Sequence, residues 1–207
     1  MDCGDLWPRK VVDKNGLESN QVFHKGNRTG LRRLNHFVND YYTDTLKSGI
    51  ILDVAGGRGD LSFELSLKFN LHCVIIDPRP QKFRRWQLKM IKKHPDLSPP
   101  RHIQGLFDEN FFEKHGVDMA DVRLVIGMHP DEATEPLVTN ALENEINFSV
   151  IPCCVFSQMF PLRKLKNGSE PVSYEAFCVY LMEKSESINS SMLPFLGRNR
   201  VIFTRLL

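Results

Sequence analysis

No apolar stretch of this chain approaches the length of a membrane span, and residues 1–10 carry acids, a Trp and a Pro where a signal peptide needs an apolar core. Neither a membrane partner nor a secretory leader is expected, so the chain reads as intracellular, cytoplasmic or nuclear. An excess of one charge is also missing. The formal net charge is only +2, so a nucleic-acid partner would have to be argued from local clusters rather than from the total. Cysteine is sparse and unpaired in pattern: Cys3, Cys73, Cys153, Cys154 and Cys178 form an odd, scattered set, which excludes a disulfide framework and suits a reducing compartment. No second C-x-x-C and no His pair stands at ligand spacing, so no metal site is expected. There is no internal repeat and no low-complexity tract.

What is present is the composition of an ordinary globular domain: 207 residues, 42% hydrophobic and 25% charged. One domain over 1–207 is expected, with a helical, basic N-terminal extension over 1–45 and a core over 46–207. In the core, apolar β-branched runs at Ile50 to Val54, Leu71 to Ile76, Arg101 to Leu106, Val122 to Gly127, Phe148 to Ile151 and Arg200 to Thr204 read as strands. Helical patterns follow Gly59 and cover Gln81 to His94, Thr134 to Asn144 and Tyr174 to Lys184. In the second of these, Phe83, Trp86, Leu88 and Ile91 would form the apolar face and the Lys and Arg residues the outer one. Ser157 to Ser173, with Arg163, Lys164 and Lys166, reads as an exposed loop. Alternation of strands with helices implies a doubly wound α/β sheet, mostly parallel and covered on both faces.

In such sheets a ligand sits beyond the carboxyl ends of the strands, where strand order reverses. The first strand ends in D53-V-A-G-G-R-G and the second in Asp77, 18 residues beyond Gly59. Gly57 and Gly59 allow a sharp turn and a close ligand; Asp77 can accept hydrogen bonds from both hydroxyls of a ribose. A nicotinamide dinucleotide is one reading of that spacing. Its fingerprint is G-x-G-x-x-G, however, and a carboxylate at the head of the turn suits a cationic, amino-acid-bearing ligand better than a pyrophosphate.

The segment I50-I-L-D-V-A-G-G-R-G-D-L-S-F-E-L, followed by V74-I-I-D, resembles the first two motifs of class I S-adenosylmethionine-dependent methyltransferases, with Ala55 where that family usually has Gly. The resemblance extends from Ile50 to Thr204. It implies a Rossmann-like sheet of seven strands, with the last, Arg200 to Thr204, inserted antiparallel. It also implies S-adenosylmethionine as cofactor, with Asp53, Ala55, Gly57 and Gly59 shaping the methionine side, Asp77 holding the ribose and Asp108 near the adenine.

On the acceptor side, I126-G-M-H-P-D-E-A-T and V150-I-P-C-C should face each other. A His after the fourth strand with Cys-Cys after the fifth is similar to transfer-RNA 2'-O-methyltransferase-like proteins, although Asp131 and Glu132 stand where that branch has Cys-Gly. G127-M-H-P lacks the D/N-P-P-Y type of segment that amine methylation uses. His129 is the candidate base for O-methylation, or else only packs in its loop. Cys153 and Cys154 either add to a pyrimidine ring before carbon methylation or pack as buried thiols. Cationic clusters at His24, Lys25, Arg28, Arg32 and Arg33, and at Arg84, Arg85, Lys89, Lys92 and Lys93, either contact RNA or are solvated helix faces. The expected function is therefore methyl transfer, with RNA as a candidate acceptor. The alternative is a catalytically inactive methyltransferase-like module that binds within an RNA-processing assembly.

Overall fold

The computed structural model describes residues 27–95 and 99–205, with the side chains of Asn27 and Arg28 excluded. Cys3, His24 and Lys25 therefore lie outside the described residues.

Seven strands form one sheet: β1 (Ile50–Val54), β2 (His72–Asp77), β3 (Arg101–Gln104), β4 (Val122–Met128), β5 (Phe148–Ile151), β6 (Ile188–Met192) and β7 (Arg200–Thr204). Their spatial order is 3-2-1-4-5-7-6. Strands β1 to β5 are mutually parallel, and β7 runs antiparallel to both β5 and β6. The seven-stranded, doubly wound expectation is borne out, antiparallel β7 included. Six strands were legible in the sequence. β6 was not, because Ile-Asn-Ser-Ser-Met offers one buried residue, Ile188, and closes the sheet as a half-buried edge.

Side chains alternate across the sheet with the two-residue period of extended backbone. Ile51, Leu124, Ile126 and Phe203 point to one face, where they meet α1 (Asn27–Leu46) and α2 (Asp60–Phe69) through Leu34, Phe37, Val38, Leu61 and Leu65. Leu52, Val54, Val125, Val150 and Ile202 point to the other. There they meet α4 (Phe111–His115), α5 (Thr134–Glu143) and α6 (Tyr174–Met182) through Phe111, Leu137, Val138, Phe177 and Leu181. Among the described residues, no helix is long and apolar enough to cross a membrane.

The helix α3 (Arg85–Lys93) departs from its expected pattern. It begins four residues late, and its buried residue is Gln87, whereas Leu88 is 48% exposed. Gln87 is drawn in by polar partners: its amide donates to the Arg58 carbonyl at 3.0 Å and to Asp60 at 3.3 Å, while its oxygen accepts from the Arg84 N–H. Hydrogen bonding to the glycine turn thus buries Gln87 at the expense of Leu88, while Phe83 and Trp86 of the expected apolar face pack against Phe63.

The N-terminal helix α1 packs fully into the first face. Its apolar positions recur at Leu31, Leu34, Phe37, Val38, Tyr42 and Leu46, a stripe with helical spacing. At its kink, the buried Tyr42 hydroxyl donates to the carbonyls of Phe148 (3.0 Å) and Thr204 (2.7 Å), pinning the helix to β5 and β7. Tyr42→Phe is expected to lower unfolding free energy by about 1–2 kcal/mol without changing the fold, measured by urea denaturation.

Candidate functional site

Because β1 to β5 are parallel, the ends of β1, β2, β4 and β5 share one edge of the sheet, and the chain reverses its direction of travel between β1 and β4. The glycine turn closes there. Gly59 N–H donates to the Gly56 carbonyl at 2.8 Å, and α2 starts at once from Gly59, which has a φ of +70°. A Cβ at Gly59 would stand 2.2 Å from Ile75 Cδ1, so only glycine lets the helix pack on β2 this closely. Ala55, which replaces the family's usual Gly, has a φ of +54°. That is the left-handed region, and it costs a non-glycine residue roughly 1–2 kcal/mol.

Asp77 ties this turn to the end of β2. Its Oδ2 accepts the Gly57 N–H at 2.9 Å. Arg79 grips the same carboxylate from solvent, with Nε on Oδ1 at 2.8 Å, Nη2 on Oδ2 at 2.8 Å and its backbone N–H on Oδ1 at 3.0 Å. Burial pushes the Asp77 carboxyl up, but these donors outweigh it and hold the group below its usual range. A ligand that takes up both oxygens of Asp77 must therefore displace a guanidinium whose side chain is 75% exposed. Arg79 was not singled out in the sequence, where a cation two residues past a strand-end acid was the only signal.

Asp53 faces inward. Its carboxylate is buried and accepts the Ser62 hydroxyl of α2 at 2.6 Å, on the face of the sheet that α2 covers. Asp53 thus braces the turn from beneath. Asp108 is half-buried, and its Oδ1 accepts the Asn110 N–H at 3.1 Å ahead of α4.

The other half of this edge is assembled by β4 and β5. The His129 N–H donates to the Ile151 carbonyl at 3.0 Å, clamping the two strand ends. His129 and Asp131 flank Pro130 with φ of +55° and +50°. Burial lowers the His129 imidazole below its ordinary value, against the Pro152 carbonyl and Asp131, which favour the cation. Cys153 is buried and its Sγ lies 3.0 Å from Asp131 Oδ1. Burial and then the neighbouring carboxylate push that thiol up, so on its own it stays protonated.

One residue of the expected exposed loop is corrected. Arg163 is only 5% exposed. Its Nε pairs with Glu135 at 2.5 Å, its Nη1 donates to the Val155 carbonyl, and its guanidinium lies 3.8 Å from the Phe160 ring centroid. Glu135 also takes Lys184 Nζ at 2.8 Å and the Tyr180 hydroxyl, so the loop after β5 is anchored rather than free. A cavity of about 1060 Å³ lies at the amino ends of β1 to β3 beside Ile50, His72 and Arg101, away from this edge.

Burial raises the Asp53 carboxyl from 3.8 to about 7, against the Ser62 hydrogen bond. Between those values the folded chain binds the extra proton, so the stability linked to Asp53 is full below about pH 4 and is lost as pH rises through about 7. Asp53→Asn removes the ionisation and keeps an acceptor for Ser62. It is expected to stabilise the protein by on the order of 2–4 kcal/mol at about pH 8, with the gain vanishing towards about pH 4, as read from urea midpoints across pH.

No protein-family model matches the chain. A Caenorhabditis briggsae protein described as a "Probable tRNA (uracil-O(2)-)-methyltransferase" is 29% identical over 163 residues, covering 73% of this chain. The chain spans only 27% of that relative's length. Among solved structures, magnesium protoporphyrin IX methyltransferase of Synechocystis aligns with a TM-score of 0.54 at 14% identity, over 91% of this chain and 86% of that one. A Corynebacterium glutamicum protein aligns with a TM-score of 0.52 at 16% identity, over 93% of this chain and 85% of that one. Strand order, the glycine turn with its two strand-end acids and these likenesses agree on the fold, which is that of class I S-adenosylmethionine-dependent methyltransferases.

Proposed function

We propose that the protein is an S-adenosylmethionine-dependent methyltransferase acting on RNA. The observation that carries this reading is the Asp77 carboxylate holding the Gly57 N–H at the joined ends of β1 and β2. The residues present fit the cofactor. A Cβ at Gly57 would project to 3.6 Å from Arg79 and 4.0 Å from Asp77, filling space beside the ribose-binding acid. Asp53, Ala55, Gly57 and Gly59 form the turn on its methionine side, Asp77 meets the ribose and Asp108 borders the adenine. Bound there, S-adenosylmethionine supplies a methyl group on a sulfonium that leaves as a neutral thioether. His129, kept largely neutral by burial, is placed to take the proton of an acceptor hydroxyl, with Cys153 and Cys154 beside it. Positioning supplies most of the rate, since the leaving group is already activated.

RNA as acceptor is supported by the transfer-RNA relative and by a shallow groove of about 520 Å³ lined by Arg58, Phe83, Arg84, Arg85, Trp86 and Lys89. Arg84 is paired with Asp60 at 2.7 Å, whereas Arg58, Arg85 and Lys89 are exposed and have no acidic partner among the described residues. Arg58 belongs to the glycine turn itself, so the groove adjoins the cofactor side. A second reading, a binding module without turnover, is favoured by one observation: both oxygens of Asp77 are engaged by Arg79.

Calorimetry with S-adenosylmethionine is expected to show saturable binding that Asp77→Ala and Gly57→Arg abolish; a folded protein that binds nothing would sink the cofactor reading. Binding without methyl transfer to any RNA would leave the module reading standing. For the groove, Arg85→Glu with Lys89→Glu should weaken RNA binding across sequences. The two cations contribute about 0.7 each to the slope of log K against log salt, and that slope should fall accordingly in a filter-binding series.

A further inference from the structure

The ends of β4 and β5 bring three metal-ligating side chains together outside the cofactor turn. Asp131, Cys153 and Cys154 each offer one ligand atom, and these atoms all lie within 4.8 Å of one another. We propose that they bind a thiophilic divalent cation, zinc being the ion whose preferences they match.

Zinc takes thiolate sulfur near 2.3 Å and carboxylate oxygen near 2.0–2.2 Å in a tetrahedron, so neighbouring ligand atoms stand roughly 3.5–3.8 Å apart. Three atoms inside a 4.8 Å span reach that spacing by small side-chain rotations. Two sulfurs with one carboxylate select zinc over magnesium or calcium, which prefer oxygen cages. In the free state Cys153 Sγ sits 3.0 Å from Asp131 Oδ1, which accounts for one thiol. It gives no role to Cys154, which is half-buried beside it with a free thiol. A cation accounts for all three, because it deprotonates the thiols and neutralises the charge they would otherwise concentrate.

The backbone is shaped to make this meeting. Two non-glycine residues in the left-handed region, His129 at +55° and Asp131 at +50°, turn the chain back at Pro130. The hydrogen bond from His129 N–H to Ile151 then fixes that turn against Pro152 and Cys153. Such conformations cost energy and persist where the surroundings enforce them, often at functional sites. With three protein ligands, the fourth corner stays open to a water or an acceptor hydroxyl, as at catalytic rather than structural zinc centres. Residues 131 and 153 are 22 positions apart, which is why no ligand pattern shows in the sequence.

This inference does not depend on the cofactor reading, and the test separates the two. The reduced full-length chain is titrated with cobalt(II), whose thiolate complexes show a sulfur-to-metal charge-transfer band, and S-adenosylmethionine calorimetry is run on the same samples. One equivalent of cobalt with that band is expected. The band should be lost in Cys153→Ser and in Cys154→Ser and retained in Cys3→Ser, with zinc displacing cobalt. Absence of the band in the folded, reduced chain would overturn the site, as would a band that survives both the 153 and 154 substitutions. Cofactor binding with no cobalt band refutes the metal site alone. A cobalt band without cofactor binding refutes the methyltransferase reading and leaves the metal site.

Discussion

The carboxylate of Asp77 is the constraint around which the working edge of the sheet is organised. A glycine-rich turn has no side chains of its own to hold it, and its backbone donors would otherwise be satisfied by water. By accepting the Gly57 N–H, Asp77 fixes the turn relative to β2, and by accepting Arg79 it stays ionised despite its burial. Asp53 supports the same turn from below by an opposite device, a carboxyl kept close to neutral and bonded to Ser62. Two acids at the ends of neighbouring strands thus have different charge states because one has cationic and amide donors and the other has a hydroxyl and an apolar wall.

The second half of the edge is held differently. His129 to Ile151 joins the ends of β4 and β5 by backbone alone, and the loop beyond is fastened by a buried Arg163 that satisfies Glu135 while lying on Phe160. Glu135 collects Arg163, Lys184 and Tyr180, and those donors outweigh its desolvation. The β4–β5 half therefore rests on ionic contacts among α5, Lys184 and the loop, whereas the β1–β2 half rests on the Asp77 carboxylate and the donors it gathers.

Much of this was legible in residue order. The apolar runs at β1, β2, β4, β5 and β7 are dense enough that burial on both faces of a sheet was the natural outcome, and the glycine turn with Asp77 placed the edge. What was hidden depended on contacts between distant positions. β6 has too few apolar residues to show a period. Gln87 is buried in place of Leu88 through hydrogen bonds to Arg58 and Asp60, and Arg163 looked like a solvated loop cation until its partner Glu135 was brought to it. The meeting of Asp131 with Cys153 follows the same logic, since strand pairing and not spacing makes them neighbours.

The bond from Tyr42 to Thr204 spans 162 positions and has a consequence for how the fold closes. Helix α1 precedes every described strand in the sequence, but one strand it packs on, β7, with Phe203 against Phe37 and Tyr41, follows all the others. The stripe of α1 that meets α2, β1 and β4 can be covered first, but the part that faces Phe203 waits for a loop of 162 positions to close. Docking of α1 on β7 is thus a long-range step of high contact order, whose loop-closure cost is repaid only when helix and strand meet.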